Sequence, residues 1–119
     1  MARFVIETDS LVVRLNPLEA LGALHRSVRV PLTSVVSVEP NDHLWSTLSG
    51  LRAPGTGLPG VIALGTWRYR GGKDFVAVYQ GRGVSVELSG SEWQRLLVSV
   101  AAPERIAERI DSRLREHRR

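Results

Sequence analysis

Apolar and polar residues alternate with period two along most of this chain, the pattern of a strand with one buried face. In SVRVPL (27–32), Val28, Val30 and Leu32 fall on one side and Ser27, Arg29 and Pro31 on the other. VSVEL (84–88) sets Val84, Val86 and Leu88 against Ser85 and Glu87. The same alternation marks RFVIE (3–7), LVVRL (11–15), SVVSVE (34–39), VIALGTWRY (61–69), DFVAVY (74–79) and LLVSV (96–100). These runs predict seven or eight strands. Turn chemistry separates several of them: Thr8-Asp9-Ser10, Gly71-Gly72 and Gly81-Arg82-Gly83. Connections this short join antiparallel neighbours, so the pattern predicts a mainly β chain whose sheet meanders and curls into a barrel or sandwich.

Two stretches leave this pattern for a helical one. NPLEALGALHR (16–26) offers Asn16 as a cap, Pro17 at the first helical position and Glu19 at the spacing of a capping box, with Gly22 weakening its middle. PERIAERIDSRLREHRR (103–119) opens with Pro103 and carries Ile106, Ala107, Ile110 and Leu114 as a narrow apolar stripe. Ser91 and Gln94 form a smaller capping box, so SEWQRL is expected to make a helical turn. Residues 40–60, PNDHLWSTLSGLRAPGTGLPG, have no clear period. A loop of that length inside one domain is functional or contains a further element.

At 119 residues the chain has room for one domain, expected to span 1–119. Its 43% hydrophobic and 24% charged residues are those of an ordinary soluble globular protein. No run approaches the roughly 18 apolar residues of a membrane span. The start, MARFVIETDSLVVRL, is broken at Glu7, Thr8 and Asp9 and reads as a hairpin rather than a secretory signal. With no cysteine, disulfides and thiolate metal sites are excluded. The net charge of +4 is modest and unevenly spread: residues 68–82 hold Arg68, Arg70, Lys73 and Arg82 against Asp74 alone.

GTGLPG (55–60) matches the dinucleotide-binding fingerprint letter for letter. That motif works only where a strand leads in and a helix follows, its N–H groups facing the pyrophosphate. Here Pro54 and Pro59 bracket the glycines and the β-like VIALGTW follows. The expectation is a glycine loop entering a strand, with no dinucleotide and no other cofactor. Hydrolytic chemistry would fall to His43, which follows Asp42 in the long segment, since His25 ends a helix and His117 lies at the chain terminus. No spacing selects a partner serine or a metal-ligand set. The densest polar cluster is TWRYRGGKD, where Trp67 and Tyr69 share one face and Arg68 and Arg70 the other. Such a strand offers stacking or cations to an anionic surface, or else buries its aromatics and stays soluble through its arginines.

In order, antiparallel strands with a small helix after the second and a helix at the end resemble the bacterial pleckstrin-homology-like proteins. The residues that carry the likeness are VRVPLTSVVSVE (28–39), LPGVIALGTWRYRGGKDFVAVY (58–79) and VSVELSGSEWQRLLVSVAAPERIAERI (84–110), more than half of the chain. The resemblance implies a partly open antiparallel barrel of about seven strands in two near-orthogonal sheets, plugged at one end by the last helix. It also implies an interaction or scaffolding role, in some members through ring assembly, and supplies no catalytic residue. The helix at 17–25 and the Gly/Pro-rich loop depart from the eukaryotic pleckstrin pattern, and no basic ladder matches its inositol-lipid pocket.

These readings lead to a non-catalytic, cytoplasmic bacterial module that binds a protein partner or itself through sheet edges and the long loop. The alternative is a peripheral binder of anionic surfaces, lipid headgroups ahead of nucleic acid, through Arg52, Trp67, Arg68, Arg70, Lys73 and Arg82. A small hydrolytic enzyme using His43 and Asp42 stands third. No catalytic residue, metal ligand or cofactor is assigned.

Overall fold

A computed structural model describes residues 2–48, 51–58, 62–79 and 81–118, with the backbone alone at 51–54, 56 and 58. The chain is mainly β, with two sheets and a C-terminal helix. The first sheet orders β1 (Arg3–Ile6), β2 (Ser10–Arg14) and β3 (Val28–Pro31), all antiparallel. β3 alternates as expected, with Val28 and Val30 buried while Arg29 and Pro31 face out, but β2 buries Leu11, Val12 and Val13 in succession. Between β2 and β3 stands α1 (Pro17–Ala23), with the full capping box in place. Asn16 Oδ1 accepts from Glu19 N at 2.8 Å, and Glu19 Oε1 accepts from Asn16 N at 3.0 Å. Leu24 ends the helix in the left-handed region at φ 52°. His25 therefore lies beyond the helix rather than on its last turn, with its ring against Phe75 and Trp93.

The second sheet comprises β4 (Val35–Asn41), β5 (Leu51–Leu58), β6 (Ile62–Tyr69), β7 (Gly72–Val78), β8 (Gly83–Leu88) and β9 (Arg95–Ser99). Its spatial order is β4-β8-β9-β7-β6-β5. Among the described residues nine strands form in place of the expected seven or eight, and the two sheets do not close into a barrel. The simple meander is also corrected. β7 and β8 are not neighbours, because β9 slots between them, antiparallel to β8 and parallel to β7. Gly83 makes room for this. A Cβ there would lie 2.1 Å from Val98 O and 2.6 Å from Leu44 Cδ1, so the glycine serves close backbone approach inside β8 rather than a hairpin turn.

The segment 89–94 does not form the helical turn that Ser91 and Gln94 suggest. It is a run of bends whose last residue is bonded to the sheet: Gln94 N donates to Lys73 O at 2.8 Å, and Gln94 O accepts from Leu88 N at 2.9 Å. The inner faces of the two sheets meet in one core that includes Val13, Val30, Phe75, Val86, Leu96 and Val98. The terminal helix, α3 (Pro103–His117), adds Ala107, Ile110 and Leu114 to it and lies against β1, β4 and β8.

The described residues of the long segment 40–60 form the end of β4, a short helix α2 (Leu44–Thr47) and β5. Leu44 of α2 covers the outer face of the second sheet, packing with Ala63, Trp67, Val76, Val78 and Leu97 in a second apolar cluster. The glycine fingerprint lies partly inside β5, which pairs with β6. Gly55 sits opposite Gly65 at φ 152°, and a Cβ on it would fall 2.1 Å from Leu64 O. The expected loop glycine is a strand glycine that lets two backbones touch. β6 follows from Ile62, so no helix N-terminus succeeds the motif; Pro59 and Gly60 lie outside the described residues.

Candidate interaction surfaces

The positions singled out for binding separate into three environments. Trp67 is 8% exposed beneath Leu44, so its ring fills the second cluster and offers no stacking face to solvent. Arg68 and Arg70 are exposed at the β6–β7 end, and Lys73 is the cross-strand partner of Arg68. Lys73 is engaged, with Nζ 4.6 Å from the Trp93 ring centroid and 3.5 Å from Glu92 Oε2. Arg82 bridges two acids, Asp42 at 3.2 Å and Glu104 at 3.3 Å, and so ties the approach to α2 to the first turn of α3. The backbone of Arg52 pairs with Trp67 in the β5–β6 ladder, while its side chain lies outside the described residues. Arg68, Arg70, Lys73 and Arg82 line neither the polar cleft at Asn41 nor the groove between β1 and α3.

Beneath α2 lies a buried network that the sequence did not reveal. Asp74, fully buried in β7, accepts from Tyr69 Oη at 2.7 Å, Arg95 Nε at 2.9 Å and Arg95 Nη2 at 2.6 Å. Arg95 Nη2 also donates to Thr47 O at 3.1 Å, which fastens the end of α2 to the sheet. Burial and the neighbouring carboxylate push the Tyr69 hydroxyl up to about 12. Burial opposes the charge on Arg95, but the bond to Asp74, the Asp74 charge and Tyr69 together outweigh it and hold its pKa above the ordinary value. The only sequence signal was an acidic residue at the first position of an expected strand, which fits a turn as well as a core.

Next to this network opens a polar cleft of about 370 Å³ whose lining includes Glu39, Asn41, His43, Ser85, Glu87 and Arg95. Asn41 organises it. Its Nδ2 donates to Thr47 Oγ1 at 3.0 Å and Ser85 Oγ at 2.9 Å, and its Oδ1 accepts from His43 N at 2.7 Å. The structure does not join Asp42 to His43, because the Asp42 carboxylate accepts from Arg82 instead. Among the described residues no group of three or more His, Asp or Glu side chains is placed to hold a metal ion. No helix among them is long and apolar enough to cross a membrane.

The third feature is α1. Its polar group points inward: Glu19 is 4% exposed, and its second carboxylate oxygen accepts from the Tyr79 hydroxyl. Burial, then the bond to Glu19, raises the Tyr79 pKa well above the ordinary tyrosine value. Ala23 is buried and Ala20 half-buried on the same side. The leucines consequently face water, Leu18 at 80%, Leu21 at 71% and Leu24 at 64% exposure. They follow one another at spacings of three and form a stripe on one side of the helix and its cap. Compared with family models, curated proteins and solved structures, the chain matches none. Any functional reading therefore rests on these geometries.

Proposed function

We propose that this chain is a non-catalytic interaction module that associates with a second copy of itself, or with another protein, through the outward leucine stripe of α1. The observation that supports it is the reversed polarity of that helix. A surface helix ordinarily turns its apolar face to the core, whereas Leu18, Leu21 and Leu24 stand in solvent while Glu19 is held inside. Each exposed leucine represents about 1.5–3 kcal/mol of burial that a partner can supply. Exposed positions Pro17, Leu18, Leu21 and Leu24 carry no charge, so two copies can meet about a twofold axis without repulsion along the stripe. A leucine helix face differs from the sheet edges and long loop expected from sequence, and the long segment is occupied in covering the second sheet.

The scaffold in this reading is pleckstrin-homology-like. Element order supports the likeness, with a small helix after the second strand and a terminal helix against both sheets. The parallel β7–β9 pair departs from it. Light scattering over a wide concentration range tests the proposal. The wild type is expected to gain mass with concentration, and Leu21→Glu to remain monomeric with an unchanged circular dichroism spectrum. A wild type that stays monomeric throughout and captures no protein through this face would overturn it.

A further inference from the structure

A groove of about 790 Å³ lies on a different surface from α1, between β1, the 100–102 connection and the first half of α3. Phe4, Ile6 and Ile106 give it an apolar floor, each half-buried against the main core. Arg3, Arg105 and Arg109 stand around it, all exposed. Among the described residues no carboxylate lies within ion-pair distance of any of these three arginines, whereas Arg82, Arg95, Arg113 and Arg115 each have at least one. One wall of the groove is also a sheet edge. β1 pairs with β2 on one side and, among the described residues, with no strand on the other.

We propose that this groove binds an extended acidic segment of a partner protein, which adds to the β1 edge as a further strand. Each part of the site asks for a different property of that ligand. The open edge of β1 offers N–H and C=O groups over four residues, roughly 13 Å, which only another backbone can match in register. The floor takes side chains from one face of the added strand, and its alternate residues must therefore be apolar. The arginines require carboxylates on the rest. Arg105 and Arg109 are separated by four residues of helix, about 6 Å of rise, close to the roughly 6.8 Å between residues i and i+2 of a strand. A strand running along α3 thus places two carboxylates, two residues apart, against two guanidinium groups. An acyl chain with a single acidic head fits the floor but leaves the strand edge unpaired and meets fewer of the cations.

The experiment uses the full chain and fluorescent hexapeptides in which glutamate alternates with valine or isoleucine, followed by fluorescence anisotropy. Binding is expected, falling as salt rises and weakening about tenfold or more in Arg105→Glu with Arg109→Glu. Both substitutions are at exposed positions, and circular dichroism verifies folding. Hydrogen exchange should slow at β1 amides on peptide addition. A peptide methylated on alternate backbone nitrogens, unable to pair as a strand, should lose binding. Equal binding of the methylated peptide, or of a scrambled peptide with its acids clustered, overturns the strand-addition proposal. So does binding of dodecanoate or dodecyl phosphate in the groove with no peptide bound, which would assign it to an anionic amphiphile. Leu21→Glu should leave peptide affinity unchanged, so this proposal and the one resting on α1 fail separately.

Discussion

Replacing Asp74 with alanine is the most direct test of what holds α2 and the outer sheet face together. The carboxylate has no solvent contact and accepts three hydrogen bonds, two from Arg95 and one from Tyr69. Truncation leaves the Arg95 guanidinium without its counter-charge and the Tyr69 hydroxyl without its acceptor. Removing one member of a buried ion pair costs about 3–5 kcal/mol, chiefly because the other charge remains desolvated. The Arg95 side chain is 24% exposed, which lets water reach part of it and sets the expectation near the lower end, about 3 kcal/mol. For a domain of this length that corresponds to a fall in Tm of about 10–15 °C.

The cause can be separated from the size of the effect. If the penalty is an uncompensated charge, Asp74→Leu combined with Arg95→Met should recover most of the loss, to within about 1 kcal/mol of wild type. Tyr69→Phe should cost less, about 1–2 kcal/mol, since it deletes one bond and leaves the ion pair intact. Urea unfolding followed by tryptophan fluorescence gives all of these values, and Trp67 lies in the apolar cluster beside the network. A loss below about 1 kcal/mol for Asp74→Ala, or a double variant as unstable as the single one, would refute the argument.

Two further outcomes follow from the same structure. The hydroxyls of both tyrosines are raised, Tyr69 to about 12 and Tyr79 also upward, from an ordinary value of 10.0. The unfolded chain then releases these protons first, so their contribution to stability is complete below pH 10 and is lost as pH rises toward about 12. Phenolate absorbance of the folded protein should show no step near pH 10, and such a step would contradict the buried bonding. Gly83→Ala would force a Cβ to within 2.1 Å of Val98 O, and backbone cannot yield as a flexible side chain would. A loss of about 1–3 kcal/mol is expected by thermal unfolding, while an unchanged Tm would mean that β8 and β9 do not approach this closely.

Strand alternation was readable where a strand turns only one face inward, as in β3 and β8, whereas β6, β7 and β9 are buried on both faces. Val28 and Val30, or Val84 and Val86, are buried for the reason their spacing suggests. β5 escaped notice because LRAPGTGL breaks alternation with Pro54, Gly55 and Gly57. It is an edge strand held by β6 alone, where proline and glycine are tolerated. The parallel placement of β9 was hidden for a different reason. Ser91 and Gln94 carry a local capping signal, but the backbone of Gln94 is bonded to Lys73 and Leu88, residues whose proximity only the completed sheet creates. Local chemistry competes with long-range pairing, and here the pairing wins.

The same competition explains α1 and its consequence for binding. Asn16, Pro17 and Glu19 announce the start of a helix, and the capping box forms as their spacing requires. What the spacing omits is that one carboxylate does two jobs. One oxygen of Glu19 closes the cap on Asn16 N, and the other accepts from Tyr79, 60 residues away. With Glu19 fixed inward and Ala23 beside it, small side chains bring the helix close to the sheets and the rotation of α1 is set. Leu18, Leu21 and Leu24 are then left outside by geometry rather than by any preference of their own. In the proposed association, a stripe held outward by the bonds that cap its own helix would be ordered beforehand, so binding would not have to supply the entropy of forming it.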